Sequence, residues 1–514
     1  MDITERLFAL RAEMEREKID IYIVPSDDSH QSEYVGEHFK ARQFITGFTG
    51  SAGTAVITAG EAGLWTDGRY FIQAENELGG SGITLYRSGE PGVESLETFL
   101  EKKLPAGGVI GFDGRTAGVT EGKRYSDIAK KKNGSIRYDT DLIGRIWNDR
   151  PPLSREKAFH LEEKYSGEST ASKLERVRRE MDRAGADIHL LSSLDDIAWL
   201  LNIRGNDIPC CPLVLSYLLL YREHAVLYTD PAKFSGGLAE ILREDKVELR
   251  PYEAVYSDVC RMEHGVSVLL DPDRVNYTLY KSIPEDVTVI ELENPEILMK
   301  SRKNDVEAAN IRRAHLKDAV AHTKFMYWLK RVVEHSKDQI ITDPEPGEAV
   351  TEISASDRLE SLRSEQEGYL CPSFEPISAF GEHGAIVHYS ASPESNAVLR
   401  KGKMLLTDTG GHYMEGSTDI TRTVALGEIP QKEKEDFTLT TRAMLRLMNT
   451  CFLHGCSGAG LDCIAREVFW KEKVNYNHGT GHGVGYLLNV HEAPINFRWK
   501  EGKAPAPVLE KNMV

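Results

Sequence analysis

Asp408 and Asp419 stand eleven positions apart in TDTGGHYMEGSTDITRT, residues 407–423, each beside an apolar run and separated by Gly410, Gly411 and Gly416. An antiparallel hairpin turning near Tyr413 and Met414 would set the two side chains opposite each other on one face. Paired carboxylates share a proton, hold a cation or stay solvated. On the hairpin alone, a solvated turn reads as well as a cation site. Two further segments favour the cation. In YNHGTGHGVGYLLNVHEAP, residues 476–494, His478 and His482 are four apart, as on one helix face. Gly479, Gly481, Gly483 and Gly485 forbid a stable helix there. The histidines belong instead on an extended segment where backbone can approach a ligand, and His491 follows on the same segment. In AFGEHGAIVHYS, residues 379–390, Ala385, Ile386 and Val387 read as a short strand with His388 at its end. Any one of these histidines reads as a satisfied core residue; together, on a glycine-rich segment and beside two aspartates, they read as a site. Mixed carboxylate and imidazole donors suit manganese, cobalt or zinc. Two such ions, roughly 3.5–4 Å apart, can activate water and polarise a carbonyl.

These residues lie in the last third of a 514-residue chain. At ~150 residues per domain, about three domains are expected. With 40 % hydrophobic and 28 % charged residues the chain reads as soluble and globular. A net charge of −17, from 63 basic and 80 acidic residues, argues against nucleic acid or an anionic membrane as the main partner. Seven cysteines without a CxxC pair argue against a disulfide scaffold. Cys451, Cys456 and Cys463 fit no zinc spacing and read as buried free thiols. The charged N-terminus reads as no signal peptide. PLVLSYLLLY, residues 212–221, is about half a membrane span and reads as a buried strand. The expected compartment is the cytoplasm.

The front half is duplicated. Leu7, Leu10 and Met14 have helical spacing and lead into the strand IDIYIVPS. At a shift of 167, Arg11, Glu13, Met14, Arg16, Asp20, Ile21, Ser26 and Asp28 match Arg178, Glu180, Met181, Arg183, Asp187, Ile188, Ser193 and Asp195. Thr66-Asp67 recurs as Thr229-Asp230 at a different shift, so the copies differ in loop length. Two copies make tandem α/β domains rather than a solenoid. The polar stretch with Pro151-Pro152 reads as a linker. The expected organisation is residues 1–150, a linker at 151–170, residues 171–300, and a third domain from 301 to 514. Asn304 or Asp305 would cap the long helix that opens the third domain, with Ala308, Ile311, Ala314 and Leu316 as apolar positions.

With these segments in hand, the third domain resembles the pita-bread metallopeptidase fold of methionine aminopeptidases, prolidases, aminopeptidase P and creatinase. The whole chain resembles the long, three-domain cytosolic Xaa-Pro aminopeptidases of family M24. The resemblance rests on IDIYIVPSDDSHQSEY, FTGSAGTAVIT, WTDGRYFIQAENEL, LDDIAWLLNIRGNDIPCCP, ISAFGEHGAIVHY, TDTGGHYMEGSTDITRTVALG and HGTGHGVGYLLNVHEAP; the last two are the most specific. It implies two tandem creatinase-type α/β domains followed by a pita-bread domain. It implies hydrolysis of the bond between an N-terminal residue and a following proline by a hydroxide bridging two divalent ions, manganese with zinc or cobalt as alternatives. It implies a homodimer. By position it makes Asp408, Asp419 and His482 metal ligands, with Asp419 bidentate or bridging. His388 would contact substrate and handle protons, His491 would stabilise the carbonyl oxygen, and His478 would line the pocket. Arg422 reads as a support for the ligands or as structural.

Three departures stand out. The family usually has asparagine at His383, which bears on the pocket rim, and serine is commoner at Thr409. The third concerns two further glutamate ligands, one in an EPG and one in an R-x-E motif, expected after the histidine segment. The chain ends at PVLEKNMV, with Met513-Val514 read as the interior of a core strand and Glu510 too early to be a ligand. The expectation is a fragment of a longer reading frame. A natural short chain would be inactive, lacking two of five ligands and the carboxylate that serves as general base. A metal-free homologue acting as a binding module would lack Asp408, Asp419 and His482, all present. Against a prolidase, which needs a dipeptide, the duplicated front half with its long linker favours the aminopeptidase P type.

Overall fold

The repeat in the sequence is a repeat of structure. The computed structural model describes residues 1–345, 347–500 and 506–514, which fall into two units: 1–161 with 168–296, and 162–167 with 297–514. In the first unit, helix α1 (Ile3–Glu17) starts where the Asp2 side chain accepts from the Glu5 amide, and it buries Leu7, Leu10 and Met14. Helix α2 (Thr170–Ala184) starts where Ser169 accepts from the Ser172 amide and buries Leu174, Val177 and Met181, the same positions at a shift of 167. Both helices end in a left-handed residue, Lys18 and Gly185, which closes the last turn.

Each helix feeds a six-stranded sheet of the same topology. The first comprises β1 (Ile21–Pro25), β2 (Thr54–Thr58), β3 (Ala62–Thr66), β4 (Thr84–Arg87), β5 (Val109–Phe112) and β6 (Ser135–Arg137), in the order β4-β3-β2-β1-β5-β6. The second comprises β7 (Ile188–Leu191), β8 (Tyr217–Tyr221), β9 (Ala225–Thr229), β10 (Val247–Pro251), β11 (Ser267–Leu270) and β12 (Thr288–Glu291), in the order β10-β9-β8-β7-β11-β12. The central strand of each pairs antiparallel on one side and parallel on the other. Ile21–Val24 and Ile188–Leu191 are buried throughout, as strands covered on both faces must be. The apolar stretch 212–221 ends in buried β8, as expected.

The second unit is built on α3 (Asp305–His335), capped by Asn304 with Glu307 closing a reciprocal capping box. Its buried stripe runs through Ile311, Ala314, Ala321, Phe325 and Leu329. Leu316, expected on that stripe, is 68 % exposed; it stands five residues past Ile311, off the three-and-four repeat. Helix α4 (Glu352–Ser364) packs on α3. Strands β13 (Tyr369–Pro372), β14 (Ile377–Phe380), β15 (Met404–Thr409), β16 (Gly411–Tyr413), β17 (Gly416–Ser417) and β18 (Ile420–Ala425) form two three-stranded sheets, β13-β16-β17 and β14-β15-β18. Phe325, Leu329, Leu359, Leu405 and Val424 share one core between helices and sheet. Helices α5 (Gln431–Met448) and α6 (Gly458–Lys471) pack together, and β19 (Gly481–Gly483) pairs antiparallel with β20 (Glu492–Phe497).

Three local expectations are corrected. Ala385–Val387 is not a strand: Gly381, with φ 55°, ends β14, and a short 3-10 helix follows over Gly381–Ala385. Cys451 is exposed, and Cys456 and Cys463 are half-buried; the first two lie in the connection between α5 and α6 and the third within α6, none on a core strand. Met513 and Val514 are not in a ladder strand; a turn at Lys511-Asn512 precedes them, although the Val514 carbonyl accepts from the Val484 amide at 2.9 Å. Among the described residues no helix is long and apolar enough to cross a membrane.

Candidate metal centre

The two aspartates are placed by a hairpin within a hairpin. Strands β15 and β18 pair with Asp408 opposite Thr421 and Thr409 opposite Ile420. The residues between them fold out as the smaller pair β16–β17, which turns at Met414-Glu415. Asp419 therefore stands just before β18, two register positions from the partner of Asp408. The carboxylates are diagonal neighbours on one face rather than directly opposite, because the β16–β17 excursion interrupts the ladder before Asp419 enters it. The excursion leaves at Gly410, where an added Cβ would lie 2.0 Å from the Thr418 carbonyl oxygen and 2.2 Å from Ser373 Oγ. Gly410→Ala is expected to lower stability by about 1–3 kcal/mol, the usual penalty of overpacking. Urea unfolding measures it, and an unchanged midpoint would mean the strands part easily.

The Asp408 carboxyl is pushed up to about 6. Burial raises it first and the Asp419 charge adds to it; the Thr421 hydroxyl, which donates to Oδ1 at 2.6 Å, works the other way, with His482 and His491. Asp419 Oδ2 lies 3.2 Å from His482 Nε2. The other nitrogen, His482 Nδ1, is 2.8 Å from the Gly483 carbonyl oxygen. Pairing of β19 with β20 brings His491 to His482, their rings edge to face with centroids 4.3 Å apart.

The structure thus gathers Asp408, Asp419, His482 and His491. His478 is exposed in the loop ahead of β19, its Nδ1 2.6 Å from the Gly479 carbonyl oxygen. His388 is half-buried in the turn after the 3-10 helix. Arg422 is exposed and donates to the Thr421 carbonyl at 2.7 Å. His383 Nδ1 is 2.8 Å from Oε1 of the buried Glu352, and its ring stacks on Tyr389. Glu510 lies 3.0 Å from Arg302. Among the described residues no three His, Cys, Asp or Glu side chains converge closely enough to cage an ion as they stand. The donor chemistry fits a divalent cation all the same. Asp419 meets an imidazole, Asp408 is desolvated beside it, and a cation between the two carboxylates would offset both the burial and the repulsion that lift Asp408.

Sequence reasoning missed the groups behind the hairpin. Asp318 on α3 and Arg363 on α4 are both buried and joined by Nε–Oδ1 at 2.6 Å. A signal existed: Asp318 continues the apolar stripe of Ile311, Ala314, Ala321 and Phe325, where an unpaired charge is not tolerated. Lys303 and Glu492 form a second buried pair at 2.5 Å.

Comparison with known proteins matches this architecture. Residues 309–514 match the metallopeptidase family M24 model, and residues 6–137 and 149–307 match creatinase/prolidase N-terminal domain models. Aminopeptidase P2 of Arabidopsis thaliana is 38 % identical, over 94 % of this chain and 71 % of its own. A probable Xaa-Pro aminopeptidase P of Paracoccidioides brasiliensis is 34 % identical, over 100 % of this chain and 84 % of its own. The crystal structure of X-prolyl aminopeptidase from Caenorhabditis elegans, described as a cytosolic enzyme with a di-nuclear active site, superposes with a TM-score of 0.92 at 32 % identity, over 100 % of this chain and 84 % of that one. With two creatinase-type α/β domains ahead of a pita-bread domain, the chain belongs to the Xaa-Pro aminopeptidase (aminopeptidase P) family of M24 metallopeptidases.

Proposed function

We propose that the hairpin of Asp408 and Asp419 and the strand pair of His482 and His491 form the site of an Xaa-Pro aminopeptidase, which releases an N-terminal residue that precedes proline. The observation that carries this reading is the meeting of Asp419 with His482 at 3.2 Å, beside the Asp408 carboxyl, which is raised first by burial and then by the Asp419 charge. Asp408, Asp419 and His482 would hold the divalent ions, of which manganese is the first choice and zinc or cobalt the alternatives. Bound there, such ions supply Lewis-acid polarisation of a carbonyl and an activated water.

The chain's own residues do the rest. His491, edge-on to His482, stabilises the carbonyl oxygen as it gains charge. His388 contacts substrate and carries protons, and His478 lines the approach. The preferred bond is one that other peptidases handle poorly. Its proline nitrogen bears no hydrogen, and its ring fixes φ, so a site that needs neither an N–H handle nor an adaptable backbone has the advantage. The C. elegans neighbour, described as cytosolic, supports a cytoplasmic enzyme, and the family supports a homodimer, which sedimentation velocity would report.

Glu492 and Glu510 are engaged by Lys303 and Arg302 and are not assigned to the ligand set. The test offers Mn2+ with an Xaa-Pro-Xaa tripeptide, an Xaa-Pro dipeptide and an Xaa-Ala-Xaa control. Mn2+ uptake and Mn2+-dependent, proline-dependent binding of the tripeptide are expected. Failure to take up Mn2+, or equal binding of the alanine control, overturns the site. Preference for the dipeptide would make it a prolidase.

A further inference from the structure

Behind the hairpin lies a buried polar cluster that the family reading leaves unused. Asp318 Oδ1 accepts from Arg363 Nε at 2.6 Å and from the Tyr413 hydroxyl at 3.3 Å. Its Oδ2 accepts from the Thr418 hydroxyl at 2.6 Å and from Arg363 Nη2 at 3.3 Å. Arg363 Nη2 also donates to Thr409 Oγ1 at 2.9 Å. Thr418 Oγ1 in turn accepts from the Gly411 amide at 2.9 Å. All four of Asp318, Arg363, Thr409 and Thr418 are buried.

The sequence neighbours give these bonds their meaning. Thr409 follows Asp408 and Thr418 precedes Asp419. One ion pair, carried on two long helices, grips the residue beside each carboxylate. Regular ladder pairing ends at Thr409–Ile420, so Asp419 lies outside the hydrogen bonds that would otherwise set its place relative to Asp408. We propose that the Asp318–Arg363 pair is a positioning device that fixes the spacing of Asp408 and Asp419 through Thr418 and Thr409. The proposal rests on the reading of those aspartates as metal ligands. Supporting groups that orient ligands are worth ~10–100-fold in metal affinity, and a hydroxyl gripped by a buried charge is a stiffer anchor than one bonded to a neutral group.

The pair has a structural alternative: it could hold α3 against α4 and do nothing for the hairpin. The test separates the two. Mn2+ affinity of the full chain is measured by electron paramagnetic resonance titration, with urea unfolding of the same samples. Thr418→Val and Thr409→Val each remove one hydroxyl and leave the ion pair intact. Each is expected to bind Mn2+ at least ~10-fold more weakly, while Thr418→Ser, which keeps the hydroxyl, stays close to the parent. Asp318→Asn is expected to weaken binding at least as much, and adding Thr418→Val to it to cause little further loss. Should Asp318→Asn fail to fold, the threonine variants decide. If both valine variants fold and bind Mn2+ as the parent does, the pair only packs helices and the proposal is overturned. If the parent itself takes up no Mn2+, the metal reading falls and this proposal falls with it.

Discussion

Asp419→Asn is expected to abolish high-affinity Mn2+ uptake while leaving the fold intact, on the proposed reading of Asp419 as a ligand. Removing a group that merely supports a ligand costs ~10–100-fold, so loss of the ligand itself is expected to exceed ~100-fold. The apo protein should respond in the opposite sense. Asp408 is raised to about 6 by burial and then by the Asp419 charge. With that charge gone, the hairpin loses an internal repulsion, and urea unfolding of the metal-free variant should show a midpoint no lower than the parent's. This pairing of signs, binding lost and apo stability kept or gained, marks residues kept for a ligand rather than for the fold. A variant that binds Mn2+ within tenfold of the parent would remove Asp419 from the ligand set. One that unfolds early would show its contact with His482 at 3.2 Å to be a structural tie.

Lys303→Met should destabilise the second unit by about 3–5 kcal/mol, the usual result of stranding one half of a buried ion pair. Lys303 and Glu492 are both buried, with Nζ 2.5 Å from Oε2, and Nζ also donates to the Lys300 carbonyl at 2.9 Å. The pair matters beyond its own energy. Glu492 is the residue after His491 and lies opposite Gly483, the residue after His482. Lys303 thus ties the histidine strand pair to the entry of α3. The double variant Lys303→Met/Glu492→Met should recover most of the lost stability, because an apolar replacement of a buried pair is often neutral. Chemical unfolding of the two single variants and the double closes the cycle. Additive losses would mean that the two side chains do not depend on each other.

The sequence made some of this plain and hid the rest for physical reasons. The tandem α/β halves were legible because a helix stripe and a strand leave repeating apolar positions, and Leu7, Leu10 and Met14 return as Leu174, Val177 and Met181. Asn304 was legible as a cap because capping is local. The register of the aspartate hairpin was not. A single symmetric turn would centre near Tyr413 and Met414, but the β16–β17 excursion leaves at Gly410, where a Cβ would collide with Thr418 and Ser373, and Ser373 belongs to another segment. The end of β14 at Gly381 was missed because Ala385-Ile386-Val387 has strand character whatever precedes it. The Asp318–Arg363 cluster was missed because its partners come from two helices and a hairpin far apart in the chain, and no motif links them. Which residues could bind an ion was local information; what holds them in place was not.

The two halves of the first unit also make the molecule its own replicate. The offset of 167 carries α1 onto α2 residue for residue, Ile3–Glu17 onto Thr170–Ala184; the three positions buried in α1 are buried in α2, which also buries Thr170 and Lys173. The caps differ: an aspartate with a reciprocal glutamate opens one helix, and a lone serine opens the other. Two copies that share topology and an apolar stripe but not end chemistry form a comparison made within one polypeptide, under one solvent and one temperature. Any difference in how firmly the two helices hold belongs to what changed after the copies parted, since everything the duplication supplied is common to both.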